Sequence, residues 1–259
     1  MKLKRLLHFA PFLPFLFFPT LVIAQETFAT AQEPRTTHHA AGYDIDVIGD
    51  PKGFAVDWTT RKVEDGVEVA TLKLSRADAA VPPRLTVKWS VPSHDVAAHW
   101  MTGRDLAKYI RPDWAGSRLQ PSMFARQAPV SALVSSANRN VLTFAVSDAL
   151  NTVVLGSGVR EEDGLLYNEV QLFTERHRSL TEYTLDLRLD RRAIPYWTTL
   201  ADVADWWAHQ PGYEPATVPE HARQPMYSTW YNFHQKVDSA TLLKEVAIAK
   251  TMGLSLIHI

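Results

Sequence analysis

The sequence predicts an antiparallel β-sandwich, followed by the first strand–loop–helix unit of a (β/α)8 barrel. Three observations carry this prediction. Stretches of alternating apolar and polar residues recur from Gly42 to Leu189, the two-residue period of half-buried strands. Glu64-Asp65-Gly66 and Glu161-Glu162-Asp163-Gly164 punctuate them as turns. After Arg192 the period becomes helical, and a proline-rich stretch then leads to one more strand and helix.

Composition narrows the chemistry. With 46% hydrophobic and 21% charged residues, the chain is globular rather than disordered. A formal net charge of −1 gives no reason to expect nucleic acid as a partner. The absence of cysteine removes disulfide frameworks, thiolate zinc sites and cysteine nucleophiles. The ten histidines form no H-E-x-x-H pair. Phosphate-binding glycine motifs are missing, Gly156-Ser157-Gly158 being too short, and so is the G-x-S-x-G elbow of serine hydrolases.

The N-terminus reads as a secretory signal peptide over residues 1–24. Lys2, Lys4 and Arg5 precede an apolar stretch from Leu6 to Ile23, and Val22 and Ala24 fit a small-x-small cleavage site. Pro11, Pro14 and Pro19 interrupt that stretch, which argues against a transmembrane anchor. Cleavage before Gln25 leaves a mature net charge of −4. The expected location is periplasmic or extracellular, with no membrane attachment after cleavage. Residues 25–41 lack a period and read as a flexible leader, in which His38-His39 is expected to be inert.

Residues 42–192 supply the sandwich. Tyr43, Ile45 and Val47 alternate with polar residues, as do Phe54, Val56 and Trp58. Val67–Leu74 returns from the first turn, and Leu85, Val87, Trp89 and Val91 alternate strictly with Thr86, Lys88 and Ser90. Val141–Val146, Thr152–Leu155, Leu165–Phe173 and Tyr183–Leu189 complete the set. Acidic residues in the two Asp-Gly turns read as turn chemistry, not catalysis. From His99 to Met123 the chain is too long for a hairpin loop. Trp100, Tyr109 and Trp114 lie there among Arg104, Asp105, Arg111 and Asp113, which leaves two readings open: packing under the loop, or a sugar-facing rim.

Residues 193–225 read as a helix and a linker. Thr199 is expected to head the helix, with Asp202 as its capping partner and Leu200, Val203, Trp206 and Trp207 as its apolar face. The paired tryptophans on that stripe read as glue between domains. Pro211, Pro215, Pro219 and Pro225 mark the linker. Residues 226–259 then start a barrel. Pro225–Gln235 reads as an aromatic-rich strand, and Asp238 or Ser239 caps a helix whose buried face is Leu242, Val246 and Ala249, extended by Leu243 and Met252 and closed by Gly253.

Met226–Gly253 resembles the opening of the catalytic barrel in melibiase-type α-galactosidases and the raffinose-synthase-like enzymes related to them. The matching residues are Tyr227 through His234, Leu242-Leu243-Lys244 and Ala249-Lys250-Thr251-Met252-Gly253. The family also carries a large β-sandwich before its barrel. There, a second strand with an Asp-Asp-Gly-Trp motif should follow; here Leu254–Ile259 stands in its place. That hexapeptide is what a common sequencing-library adapter encodes, so it is expected to be adapter sequence and the gene to be cut at this point. Met226 to Ile259 is 34 residues, against about 250 for a whole barrel.

The resemblance implies retaining hydrolysis of terminal α-galactosides, with α-galactoside oligosaccharides or polysaccharides as partners and no metal or cofactor. The family draws both catalytic aspartates from later barrel strands, so no catalytic residue is assigned and the chain alone is expected to be inactive. Trp230 and Tyr231 carry over as substrate-binding aromatics, with Asn232 and His234 as possible hydrogen-bonding groups. Because strand neighbours point to opposite sides, one of the two rings is expected to be structural. A related α-glycosidase or galactosyltransferase, or a non-catalytic carbohydrate-binding sandwich, are the alternatives.

Overall fold

The computed structural model describes residues 33–258, apart from 104, 105, 149, 212 and 215. The expected signal peptide lies outside the described residues. Two six-stranded sheets, antiparallel throughout, dominate the architecture. In chain order the strands are β1 (Arg35–Ala40), β2 (Tyr43–Ile48), β3 (Ala55–Glu64), β4 (Val67–Ala80), β5 (Leu85–Pro92) and β6 (Ala98–Met101). They continue with β7 (Leu119–Ser122), β8 (Val130–Val134), β9 (Asn140–Val146), β10 (Val153–Arg160), β11 (Leu165–Leu172) and β12 (Leu180–Asp190). The first sheet runs β1-β2-β5-β11-β10-β7 and the second β3-β4-β12-β9-β8-β6.

The core lies between the inner faces. Ile45 and Val47, then Leu85, Val87, Trp89 and Val91, point inward from the first sheet. Leu185, Leu187 and Leu189 answer from the second. Trp89 meets Phe144 edge-on across the gap, with ring centroids 4.9 Å apart and planes at 86°, the arrangement in which a ring edge meets a π face.

One sequence expectation is corrected at the N-terminus. Arg35–Ala40, read as the end of a flexible leader, is strand β1, paired residue for residue from Arg35↔Ile48 to Ala40↔Tyr43. Its side chains are mostly exposed. An edge strand with polar residues on both faces shows no apolar alternation, which is why its sequence reads as tail.

Helix α1 (Tyr196–Ala208) covers part of the outer face of the second sheet. Ala98, Ala132 and Ala145 are small enough to let it approach, and Leu200 and Val203 pack there. The helix begins three residues before Thr199. That hydroxyl is buried inside the first turn and donates to the Tyr196 carbonyl at 2.7 Å. Asp202 does not cap; it takes the Arg192 guanidinium at 2.5 Å. Arg192 also holds buried Asp190 and, at 2.9 Å, Glu64. Hydrogen bonds to these carboxylates push the guanidinium pKa further up. A single arginine thus ties the helix to β12 and to the β3–β4 hairpin.

The C-terminal segment holds β13 (Met226–Ser228), a one-turn helix α2 (Trp230–Phe233), α3 (Ser239–Thr251) and β14 (Leu256–His258). β13 and β14 are parallel, from Met226↔Leu256 to Ser228↔His258, with α3 between them in sequence. Asp238 caps α3 as expected, accepting from the Thr241 amide at 2.9 Å, whereas Leu243 and Met252, expected on its buried face, are exposed. Gly253 follows at φ +76°, the left-handed conformation that ends a helix at least strain in glycine.

Candidate functional site

Trp230 and Tyr231 sit where β13 stops. The strand expected to reach Gln235 ends at Ser228 instead. Its ladder with β14 has only three residue pairs, and beyond them the backbone finds local partners. The Phe233 amide donates to the Thr229 carbonyl and the His234 amide to Trp230, both at 2.9 Å. The turn closes at His234, φ +50°.

This changes the geometry of the two rings. Neighbours on a helical turn diverge by about 100°, not by the half-turn of a strand. In this chain Trp230 is 52% and Tyr231 85% exposed. The expectation that one ring is structural rested on strand neighbours pointing to opposite sides, and that premise does not hold on this helical turn.

A small hydrogen-bonded group supports the turn. Tyr227 donates to Glu245 Oε2 at 3.2 Å and accepts from Asn232 Nδ2 at 2.7 Å. Desolvation, then the Glu245 charge, raises the Tyr227 phenol above its usual pKa. His234 stands edge-on to Trp230 at 5.4 Å. The arrangement offers two exposed aromatic faces beside an anchored amide. It fits recognition of a hydroxylated ring with one apolar face.

The stretch from His99 to Met123 starts within β6, continues as a long loop and separates its aromatics by burial. Trp100 is half-buried against the α1 clusters. Tyr109 is 74% and Trp114 79% exposed. Arg104 and Asp105 lie outside the described residues. The loop is docked, not loose: Asp113 pairs with Arg160 at 3.3 Å, Arg118 with Glu169 at 3.0 Å, and Arg160 stacks on Tyr167 at 3.9 Å. Gly156 and Gly158 of β10 let it lie against the first sheet. A Cβ on Gly158 would stand 2.6 Å from Asp113 Cα.

Other expectations resolve locally. Trp207 binds helix to sandwich: its Nε1 donates to the Val146 carbonyl at 2.9 Å, and its ring lies 4.6 Å from Phe124. His38, expected to be inert, is stacked on Trp58. Sequence reasoning passed over Asp148, Asp186 and Tyr213, which the fold brings to one cleft. The one local signal was Asp148 three residues before Asn151, an Asx-turn pattern.

No family model matches this chain, and no curated protein matches it significantly.

Proposed function

We propose that this chain belongs to a secreted glycoside hydrolase that removes terminal α-galactosides with retention of configuration. The observation that carries the reading is the exposed Trp230–Tyr231 pair, presented at the C-terminal end of β13 in a strand–helix unit that follows a β-sandwich. Ligands of such α/β units gather at the carboxyl ends of the strands. In this reading the two rings take the apolar face of galactose, and Asn232 and His234 lie within the same turn. Retention requires one carboxylate to attack the anomeric carbon and another to protonate the leaving oxygen, the two being about 5 Å apart. The reading assigns neither role to a carboxylate of these 259 residues.

A non-catalytic carbohydrate-binding sandwich is the second reading. It is favoured by Tyr109 and Trp114, which project from a loop pinned to the first sheet.

The test assays a chromogenic α-galactoside with the present chain and with the product of the genomic reading frame followed past Gly253. Turnover is expected from the second protein only, reduced by Trp230→Ala or Tyr231→Ala. No turnover by either protein removes the hydrolase reading. Turnover by the present chain would put the acid and the nucleophile among its own residues.

A further inference from the structure

The outer face of the second sheet carries a cleft that the hydrolase reading does not use. Along β12, Leu185 and Leu187 turn into the core while Thr184 and Asp186 turn outward. Ser147, Asp148, Leu150 and Asn151, which follow β9, form one wall, and Gln210 and Tyr213, which follow α1, form the other. The cleft, open to solvent on one side, has a volume of about 430 Å³, the size of a small-molecule site.

The cleft is preformed. Asp148 accepts from the Leu150 amide at 3.1 Å, the Asn151 amide at 2.9 Å and the Tyr183 hydroxyl at 2.7 Å. The Asn151 side-chain amide reaches both of its oxygens, at 3.2 and 2.9 Å. Burial foremost, and then Asp148, raises the Tyr183 phenol well above its usual pKa, so that hydroxyl stays a donor. Asp148 is thus saturated: it shapes the wall and has nothing left for a ligand.

The remaining groups define what the cleft can take. Asp186 Oδ1 accepts from Thr71 at 2.6 Å, and its second oxygen accepts nothing among the described residues. Ser147 Oγ accepts from the Asp186 amide at 2.9 Å, leaving its hydroxyl proton to donate. The Tyr213 hydroxyl and the Gln210 side-chain oxygen make no hydrogen bond among the described residues. Tyr213 is held edge-on by Phe124 at 5.3 Å, and Leu150 adds apolar surface. Among the described residues no lysine or arginine lines the cleft, so an anion would meet a carboxylate and no cation. A divalent cation would find one free carboxylate oxygen where it needs six or more ligands. One free carboxylate oxygen, several hydroxyl and amide groups and an aromatic ring match vicinal hydroxyls around a ring with an apolar face.

We propose that this cleft binds one neutral hexopyranose ring, between Asp186 and Tyr213. The inference goes beyond the hydrolase reading and does not depend on it. For a ligand of this size at an open cleft, affinity is about millimolar.

Saturation-transfer NMR titration of the purified chain with methyl α-galactopyranoside tests it. The titration is repeated with galacturonate as an anionic probe and choline as a cationic one. Saturable transfer to the neutral glycoside is expected, weakened about tenfold or more by Asp186→Asn and by Tyr213→Ala. Binding should persist in the Trp230→Ala/Tyr231→Ala double variant, which separates this cleft from the turn after β13. Unchanged far-UV circular dichroism and melting of each variant check that it is folded. Absence of saturable transfer, equal transfer in folded Asp186→Asn and Tyr213→Ala, loss in the double variant, or stronger binding of choline or galacturonate would each overturn the proposal.

Discussion

The imidazole of His38 lies flat against the indole of Trp58, with ring centroids 5.1 Å apart and planes within 4°. Its Nε2 shares a 2.7 Å hydrogen bond with Thr60 Oγ1. The contact joins the edge strand of one sheet, β1, to the edge strand of the other, β3. Burial, followed by the neighbouring His39 charge, lowers the His38 pKa below its ordinary 6.5. The folded state therefore favours the neutral ring, and the unfolded chain takes up the proton first as pH falls. This contribution to stability is complete above pH 6.5 and is lost on acidification below it. Thermal melts across pH 7.5 to 5 should show the wild type losing more stability than His38→Gln. Parallel pH profiles would contradict the assignment.

Asp190 is buried between Arg188 and Arg192 and accepts from both. Removing its carboxylate leaves buried Arg188 without that partner and frees the guanidinium that anchors α1. Asp190→Ala is expected to destabilise the fold by about 3–5 kcal/mol, read as a lower urea midpoint. Asp65→Ala, at a fully exposed turn pair, should leave the midpoint within error.

Gly158 and Gly116 give a paired test of loop docking. A Cβ at Gly158 collides with Asp113 backbone, whereas one at Gly116 meets nothing within 4 Å. Gly158→Ala should destabilise by about 1–3 kcal/mol through overpacking. Gly116→Ala should be neutral or stabilising by up to about 1 kcal/mol, because it restricts the unfolded chain. Chemical denaturation of the two variants distinguishes them; equal effects would mean that the loop is not held against β10.

Trp230→Ala and Tyr231→Ala should each alter stability by no more than about 0.5 kcal/mol, since both rings are solvent-exposed. In an active α-galactosidase, either loss should lower kcat/KM by up to about tenfold, the scale of one stacking contact. A stability loss of several kcal/mol from either variant would show that the ring is part of a core.

Residues 34–210, expressed alone, should melt cooperatively, because β1, Arg192 and α1 all belong to the packed sandwich. The shorter segment 42–189 lacks all three and should melt at a lower temperature. Circular dichroism of the two segments checks this, and equal melting temperatures would count against it.

What was legible in the sequence follows from how each strand is buried. Leu85–Pro92 has one face in the core and one in solvent, so its alternation was plain. β8 escaped notice because all five of its residues are buried, inward against the other sheet and outward beneath α1, which erases the two-residue period. β1 escaped for the opposite reason, being polar on both faces. At the candidate site the residue types were readable but their conformation was not. Trp230 and Tyr231 have strand propensity, yet the strand lasts only as long as its pairing with β14, thirty positions away from Met226↔Leu256 to Ser228↔His258. Asp148, Asp186 and Tyr213 come from three separate segments, and no local pattern could have brought them together.

The order of strands in space also sets an order in time. β12 stands at the centre of the second sheet, pairing Val67 with Asp190 on one side and Thr143 with Asp190 on the other. Until it is synthesised, β3–β4 and β9–β8–β6 are two separate pieces with no common edge. Contacts spanning more than a hundred residues form slowly, because a long stretch of chain must be closed before any pairing is gained. A nascent chain that has reached Thr174 already holds every strand of the first sheet but cannot complete the second. The last strand of the sandwich acts as its keystone, and folding can finish only after almost two hundred residues have left the ribosome.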